Sequence, residues 1–140
     1  MTAFVLDCSV TLAWFLPGER SAATEALLDQ AATAGALVPG LWRLEVGNVL
    51  LIAERKGRIT RAHRLTALAA LRHLPIHTDP HTGEHAWSGT MELAADHALT
   101  LYDAAYLELA VRTGLPLATL DQALAQAART VGIAVPVTRS

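Results

Sequence analysis

Residues 3–9 read Ala3-Phe4-Val5-Leu6-Asp7-Cys8-Ser9, and this stretch decides the fold class. Four apolar residues running into a carboxylate and a small polar residue describe a buried strand that presents Asp7 at its C-terminal end. Strands buried on both faces belong to parallel sheets, and open α/β sheets bind ligands outside the carboxyl ends of their strands. The plain alternative is that Asp7 only caps the helix that follows. The same logic recurs in Leu117-Ala118-Thr119-Leu120-Asp121, with a helix cap again as the alternative. Two strand-end aspartates in one parallel sheet suggest a shared edge.

Working outward, short apolar strands alternate with helical periodicity along the whole chain. Strands are expected at Ala3–Leu6, Ala36–Val38, Ile76–Thr78, Leu117–Leu120 and Ile133–Val137. A short helix from about Ser9 is stopped by Pro17-Gly18, and a second runs from Ser21 to Thr33 before Gly35. Further helices are expected over Leu41–Arg55, from an N-cap at Thr60 to His73, over Gly83–Asp96, over Leu101–Thr113 and over Asp121–Thr130. This alternation implies right-handed crossovers and a single α/β domain over residues 1–140. Its architecture is three layers, with a short, mostly parallel five-stranded sheet flanked by helices.

With 140 residues, 52% of them hydrophobic and 17% charged, the chain can bury a sizeable core and has little tendency to disorder. A net charge of −2 argues against coating nucleic acid by bulk charge, though not against a local basic site. The single cysteine, Cys8, allows no intrachain disulfide and fits a reducing compartment. Met1-Thr2 leaves no room for a leader before the first strand, and no apolar run approaches a membrane span. A cytoplasmic globular domain without membrane contact is expected.

Most of the 13 acidic residues, Glu25, Asp29, Glu84 and Glu92 among them, fall where a solvated helix face would put them. Glu45 does not. It lies in Leu41-Trp42-Arg43-Leu44-Glu45-Val46-Gly47-Asn48-Val49-Leu50-Leu51-Ile52, apolar nearly all round and therefore expected to be largely buried. Leu41, Glu45, Asn48 and Ile52 share one stripe, so the carboxylate and the amide need polar partners or a cation. Asp103 opens another apolar helix, where dipole complementarity alone would account for it. Four carboxylates gathered at one sheet edge would repel one another, and divalent cations relieve that repulsion. An oxygen-rich set without thiolates suits Mg²⁺ or Mn²⁺, ions able to activate water and neutralise charge on a phosphoryl centre.

Val5-Leu6-Asp7-Cys8-Ser9-Val10, Leu44-Glu45-Val46-Gly47-Asn48, Tyr102-Asp103-Ala104-Ala105-Tyr106 and Ala118-Thr119-Leu120-Asp121, in this order and spacing, resemble a PIN-domain nuclease. The length and arrangement are most similar to the VapC-like toxins of toxin–antitoxin modules, over almost the whole chain. The resemblance implies that Asp7, Glu45, Asp103 and Asp121 form the acidic catalytic and metal-binding constellation, supported by Ser9, Asn48 and Thr119. It also implies a Mg²⁺- or Mn²⁺-dependent endoribonuclease, a homodimer and a cognate antitoxin in the active-site groove. The apolar Leu41–His73 region is the expected dimer contact.

Other signals compete. Arg55, Lys56, Arg58, Arg61 and Arg64 form a basic cluster, read either as a solvated hinge or as contacts to RNA phosphates, with Arg55, Lys56 and Arg58 the candidates. His73, His77, His81 and His85 recur every four residues, but Pro75 and Pro80 prevent one helix from aligning them. Cys8, Trp14, Phe15 and Trp42 are read as core, with base stacking the alternative for the three aromatics. A phospho-acceptor receiver domain shares the fold class, yet its chemistry requires a lysine on a late strand, and the only lysine here is Lys56. A catalytically silent PIN-like RNA- or protein-binding module is the remaining alternative.

Overall fold

The computed structural model describes residues 2–136. Its centre is a parallel sheet of four strands, β1 (Phe4–Leu6), β2 (Ala36–Val38), β3 (Ile76–Thr78) and β4 (Leu117–Ala118), in the order β3-β2-β1-β4. The registers are Phe4 beside Ala36, Leu6 beside Ala118 and Ala36 beside Ile76. Eight helices among the described residues surround the sheet: α1 (Cys8–Ala13), α2 (Ala22–Ala34), α3 (Trp42–Arg55), α4 (Arg61–Arg72), α5 (Thr82–His85), α6 (Gly89–His97), α7 (Leu101–Thr113) and α8 (Gln122–Thr130). No helix among the described residues is long and apolar enough to cross a membrane.

Phe4, Val5 and Leu6 are buried, as a central parallel strand requires, each side chain contributing about 1.5–3 kcal/mol. Local chemistry sets most boundaries. The Ser21 hydroxyl accepts from the Thr24 N–H at the start of α2, and the Thr60 hydroxyl accepts from the His63 N–H at the start of α4. Gly35 (φ +86°) ends α2, and any side chain there would also meet the Pro75 carbonyl at 2.9 Å.

Three expectations need correction. The fifth strand, proposed for Ile133–Val137, does not form a ladder over residues 133–136, although the Leu117 N–H donates to the Ala134 carbonyl; residue 137 lies outside the described residues. The helix expected over Gly83–Asp96 is two helices, broken where Ser88 leaves the helical region (φ −118°, ψ −103°), so that α6 turns to lie along α7. Finally, α3 is not buried all round. Its core stripe is Trp42, Val46, Leu50 and Ala53, which leaves Leu44 79% exposed and Leu51 and Ile52 each 37% exposed. By contrast α7 is enclosed from Ala104 to Ala110 and packs against α6, α8, β1 and β4.

Candidate active site

Asp7 follows β1 directly, is 5% exposed, and its side chain makes no capping bond to α1. The cap explanation therefore fails for this residue. Its Oδ2 instead accepts from two hydroxyls, Ser9 Oγ at 2.6 Å and Thr119 Oγ1 at 2.7 Å. These hydroxyls are themselves fixed by backbone: Leu120 N–H donates to Ser9 Oγ (2.9 Å) and Asp121 N–H to Thr119 Oγ1 (3.1 Å). The expected strand Leu117–Leu120 stops at Ala118, and its last two residues serve this lattice joining the ends of β1 and β4.

The remaining acids approach from three further elements. Asp121 begins α8 and does act as a cap, its Oδ1 accepting from Leu124 N–H at 2.8 Å. Asp103 stands in the first turn of α7, which is capped by Thr100, and is half-buried. Glu45 is one turn into α3, half-buried, and its Oε1 accepts from the Tyr106 hydroxyl at 2.5 Å. Asn48 follows on α3 with an exposed side chain.

Electrostatics tie the four carboxylates together. Burial raises the Asp7 pKa, and the charge of Asp121 adds to this, against the lowering effect of the Ser9 and Thr119 hydrogen bonds and of the Cys8 backbone N–H. Burial likewise raises Glu45, against the Tyr106 bond and with added repulsion from Asp7 and Asp103. Asp103 is raised by burial and by the charges of Asp7 and Asp121. Among the described residues, no arginine, lysine or histidine forms an ion pair with any of the four. Burial, followed by the charges of Asp7, Glu45 and Asp103, pushes the Cys8 thiol far up, so Cys8 is no thiolate nucleophile and fills core space.

An uncompensated, all-oxygen set of this kind fits a hard divalent cation. As the side chains stand, no three Asp, Glu, His or Cys groups among the described residues close around one point. Mg²⁺ does not require such a cage, because it is held through one or two carboxylates and keeps its water. Asp7 has Oδ1 left for that purpose and Glu45 has Oε2.

Other sequence candidates are dispersed. The basic hinge lies at the far end of α3, with Arg55 about 15 Å along the helix from Glu45. Arg58 contacts Glu19 at 3.5 Å and Arg64 pairs with Glu54, whereas Arg55 and Lys56 are exposed without a carboxylate partner among the described residues. His73, His77, His81 and His85 fall respectively at the end of α4, in β3, before α5 and in α5. Trp14 and Trp42 are buried, with indole N–H groups donating to the Thr24 carbonyl and to Thr11 Oγ1. A separate pocket of about 380 Å³ between α3, α4 and β3, lined by Trp42, Leu71 and Ile76 among others, contains none of the four acids.

Two residues escaped the sequence reading. Tyr106 was given no role of its own beyond the Tyr102–Tyr106 motif, although its position three residues after Asp103 on one helix face was a usable signal. Asp79 follows β3 as Asp7 follows β1, but both its oxygens are taken by Arg112 of α7 (3.2 and 2.6 Å), which also binds Glu108.

The motifs that surround Asp7 extend over most of the chain, and the PIN domain family matches residues 4–130. The chain belongs to the PIN-domain family. This PIN domain is 33% identical over 122 residues to Ribonuclease VapC3 of Pyrobaculum aerophilum, an alignment that covers 87% of this chain and 92% of that protein. The crystal structure of PAE2754 from Pyrobaculum aerophilum superposes with a TM-score of 0.67 at 25% identity, over 90% of this chain and 79% of that one. The PIN domain is thus VapC-like, a member of a ribonuclease family.

Proposed function

We propose that this VapC-like PIN domain is a Mg²⁺- or Mn²⁺-dependent endoribonuclease, the toxin of a toxin–antitoxin pair. The observation that carries the reading is Asp7, a buried carboxylate that makes no capping bond to α1 and pairs with no cation among the described residues, with one oxygen held by two hydroxyls and three more acids around it. Asp7, at the end of β1, and Asp121, at the start of α8, would hold the principal ion with Asp103. Glu45, with Asn48 beside it, holds a second ion or orients water. Ser9 and Thr119 fix the Asp7 carboxylate, so the geometry for in-line attack is set before substrate arrives. A bound divalent ion supplies water activation and charge neutralisation at the phosphoryl oxygens.

The remaining assignments belong to the same proposal. The enzyme acts in the cytoplasm, and its cognate antitoxin covers the acidic groove. Two copies pair through the outward apolar face of α3, where Leu44, Leu51 and Ile52 are exposed. Arg55, Lys56 and Arg58 contact phosphates of an RNA long enough to run the length of α3.

Cleavage of end-labelled RNA, with and without Mg²⁺ or Mn²⁺ and beside an Asp7→Asn variant, tests the activity. Metal-dependent cutting lost in the variant supports it. RNA binding without cleavage under all conditions would make this a silent binding module.

A further inference from the structure

Tyr106 is fully buried in α7, and its hydroxyl crosses to α3 to donate to Glu45 Oε1 at 2.5 Å. A buried phenol needs a partner for its hydroxyl, so the bond is expected in some form. What matters is which partner it has. Glu45 sits on a long side chain near the start of a helix whose opposite face is solvent, and nothing else among the described residues bonds its carboxylate. The Tyr106 ring is immobilised by the core. Asp103 lies three residues before Tyr106, so a single rigid helix presents one acid directly and anchors another through a hydroxyl.

From this geometry we infer that Tyr106 is a positioning residue: it pins Glu45 Oε1 so that Oε2 alone faces the acidic cluster, at a spacing from Asp103 set by α7. Asp7 repeats the design, with both hydroxyls on Oδ2 and neither on Oδ1. The inference rests on the proposed ion site, and it adds the residue that aims one of its ligands. Groups that orient a ligand from behind are worth roughly tenfold or more in ion affinity.

Tyr106→Phe keeps the ring and removes the anchor. Mn²⁺ binding to the folded protein, followed by the electron paramagnetic resonance of free Mn²⁺, should weaken roughly tenfold in this variant. The same substitution in a Glu45→Gln background should add less than about twofold, because the path through Glu45 is already gone. Thermal melts in EDTA report any structural contribution separately. Lower stability in EDTA with unchanged Mn²⁺ affinity would reduce Tyr106 to a core residue and overturn the inference. So would equal weakening in both backgrounds. Absence of Mn²⁺ binding to the parent would instead bring down the ion site itself, and the inference with it.

Discussion

Asp7→Asn should make the ion-free protein more stable while removing its activity. Above its raised pKa the parent buries an ionised carboxylate that is 5% exposed, at an effective cost of several kcal/mol, and Asp121 adds repulsion. The two hydroxyl bonds offset part of this. Both fall on Oδ2, so an asparagine with its carbonyl in that position still accepts both, as neutral bonds each weaker by about 1 kcal/mol. Its amide then points where Oδ1 stood, a donor facing acids in place of a like charge. Set against these weakened bonds, relief of the buried charge should leave a net gain of about 1–2 kcal/mol, or roughly 3–6 °C in Tm for a chain of this size. An acid whose folded pKa is raised costs stability above that pKa, so the advantage should shrink as the pH falls through it. Mg²⁺ should oppose the trend, since an ion at 100 times its Kd adds about 2.7 kcal/mol to the parent and less to the variant. Thermal unfolding of both proteins in EDTA and across a Mg²⁺ series measures each quantity. A variant that melts below the parent in EDTA, or a Mg²⁺ shift of equal size in both, would refute the reasoning.

Arg112→Met should lower stability by about 3–5 kcal/mol in urea unfolding, because it strands the buried Asp79 and Glu108 without a counter-charge. Burial alone would raise the Asp79 carboxyl, but the Arg112 bonds hold it below the usual value; its contribution is therefore complete above about pH 4 and lost on further acidification, so the gap between parent and variant should narrow there. With water as nucleophile, cleaved RNA should carry 5′-phosphate and 3′-hydroxyl ends by mass spectrometry, and 2′,3′-cyclic phosphates would indicate a different chemistry. Leu44→Glu, which places a charge at a 79% exposed position on α3, should convert a dimer to a monomer in light scattering; an unchanged mass would move the contact elsewhere.

The parts of this molecule that were legible in its sequence are those where local pattern and tertiary role coincide. An apolar tetrapeptide ending in Asp fixes β1, and its burial fixes the parallel sheet. Thr60 and Gly35 act within one turn of themselves and so mark helix ends reliably. Glu45 stood out because its neighbours are apolar. Sequence could not say which face of α3 is buried, since apolar residues fall on all its sides; packing of Trp42, Val46, Leu50 and Ala53 decided it. The weak strand Ile76-His77-Thr78 hid Asp79, whose partner Arg112 is 33 residues away. Tyr106 was hidden for a related reason: an aromatic in an apolar helix reads as core, and only the fold says where its hydroxyl goes.

Asp7 and Asp79 make a controlled comparison within one sheet. Each follows a parallel strand, and each is nearly excluded from solvent at 5% and 6% exposure. A structural acid in such a place must meet a positive charge or a helix N-terminus, because an isolated buried carboxylate is otherwise too costly. Asp79 obeys, with a bidentate guanidinium and a lowered pKa. Among the described residues Asp7 has hydroxyls but no cation and no capping bond, and its pKa is raised. The same local sequence logic therefore ends in opposite electrostatic outcomes at the ends of two strands, β1 and β3, that flank β2 in one sheet. Retaining a destabilised carboxylate among three others is reasonable only if something cationic is meant to arrive there, and strongly perturbed acids of this kind are what active sites require. The contrast, more than the count of acids, is what sets the proposed site aspartate apart from the structural one.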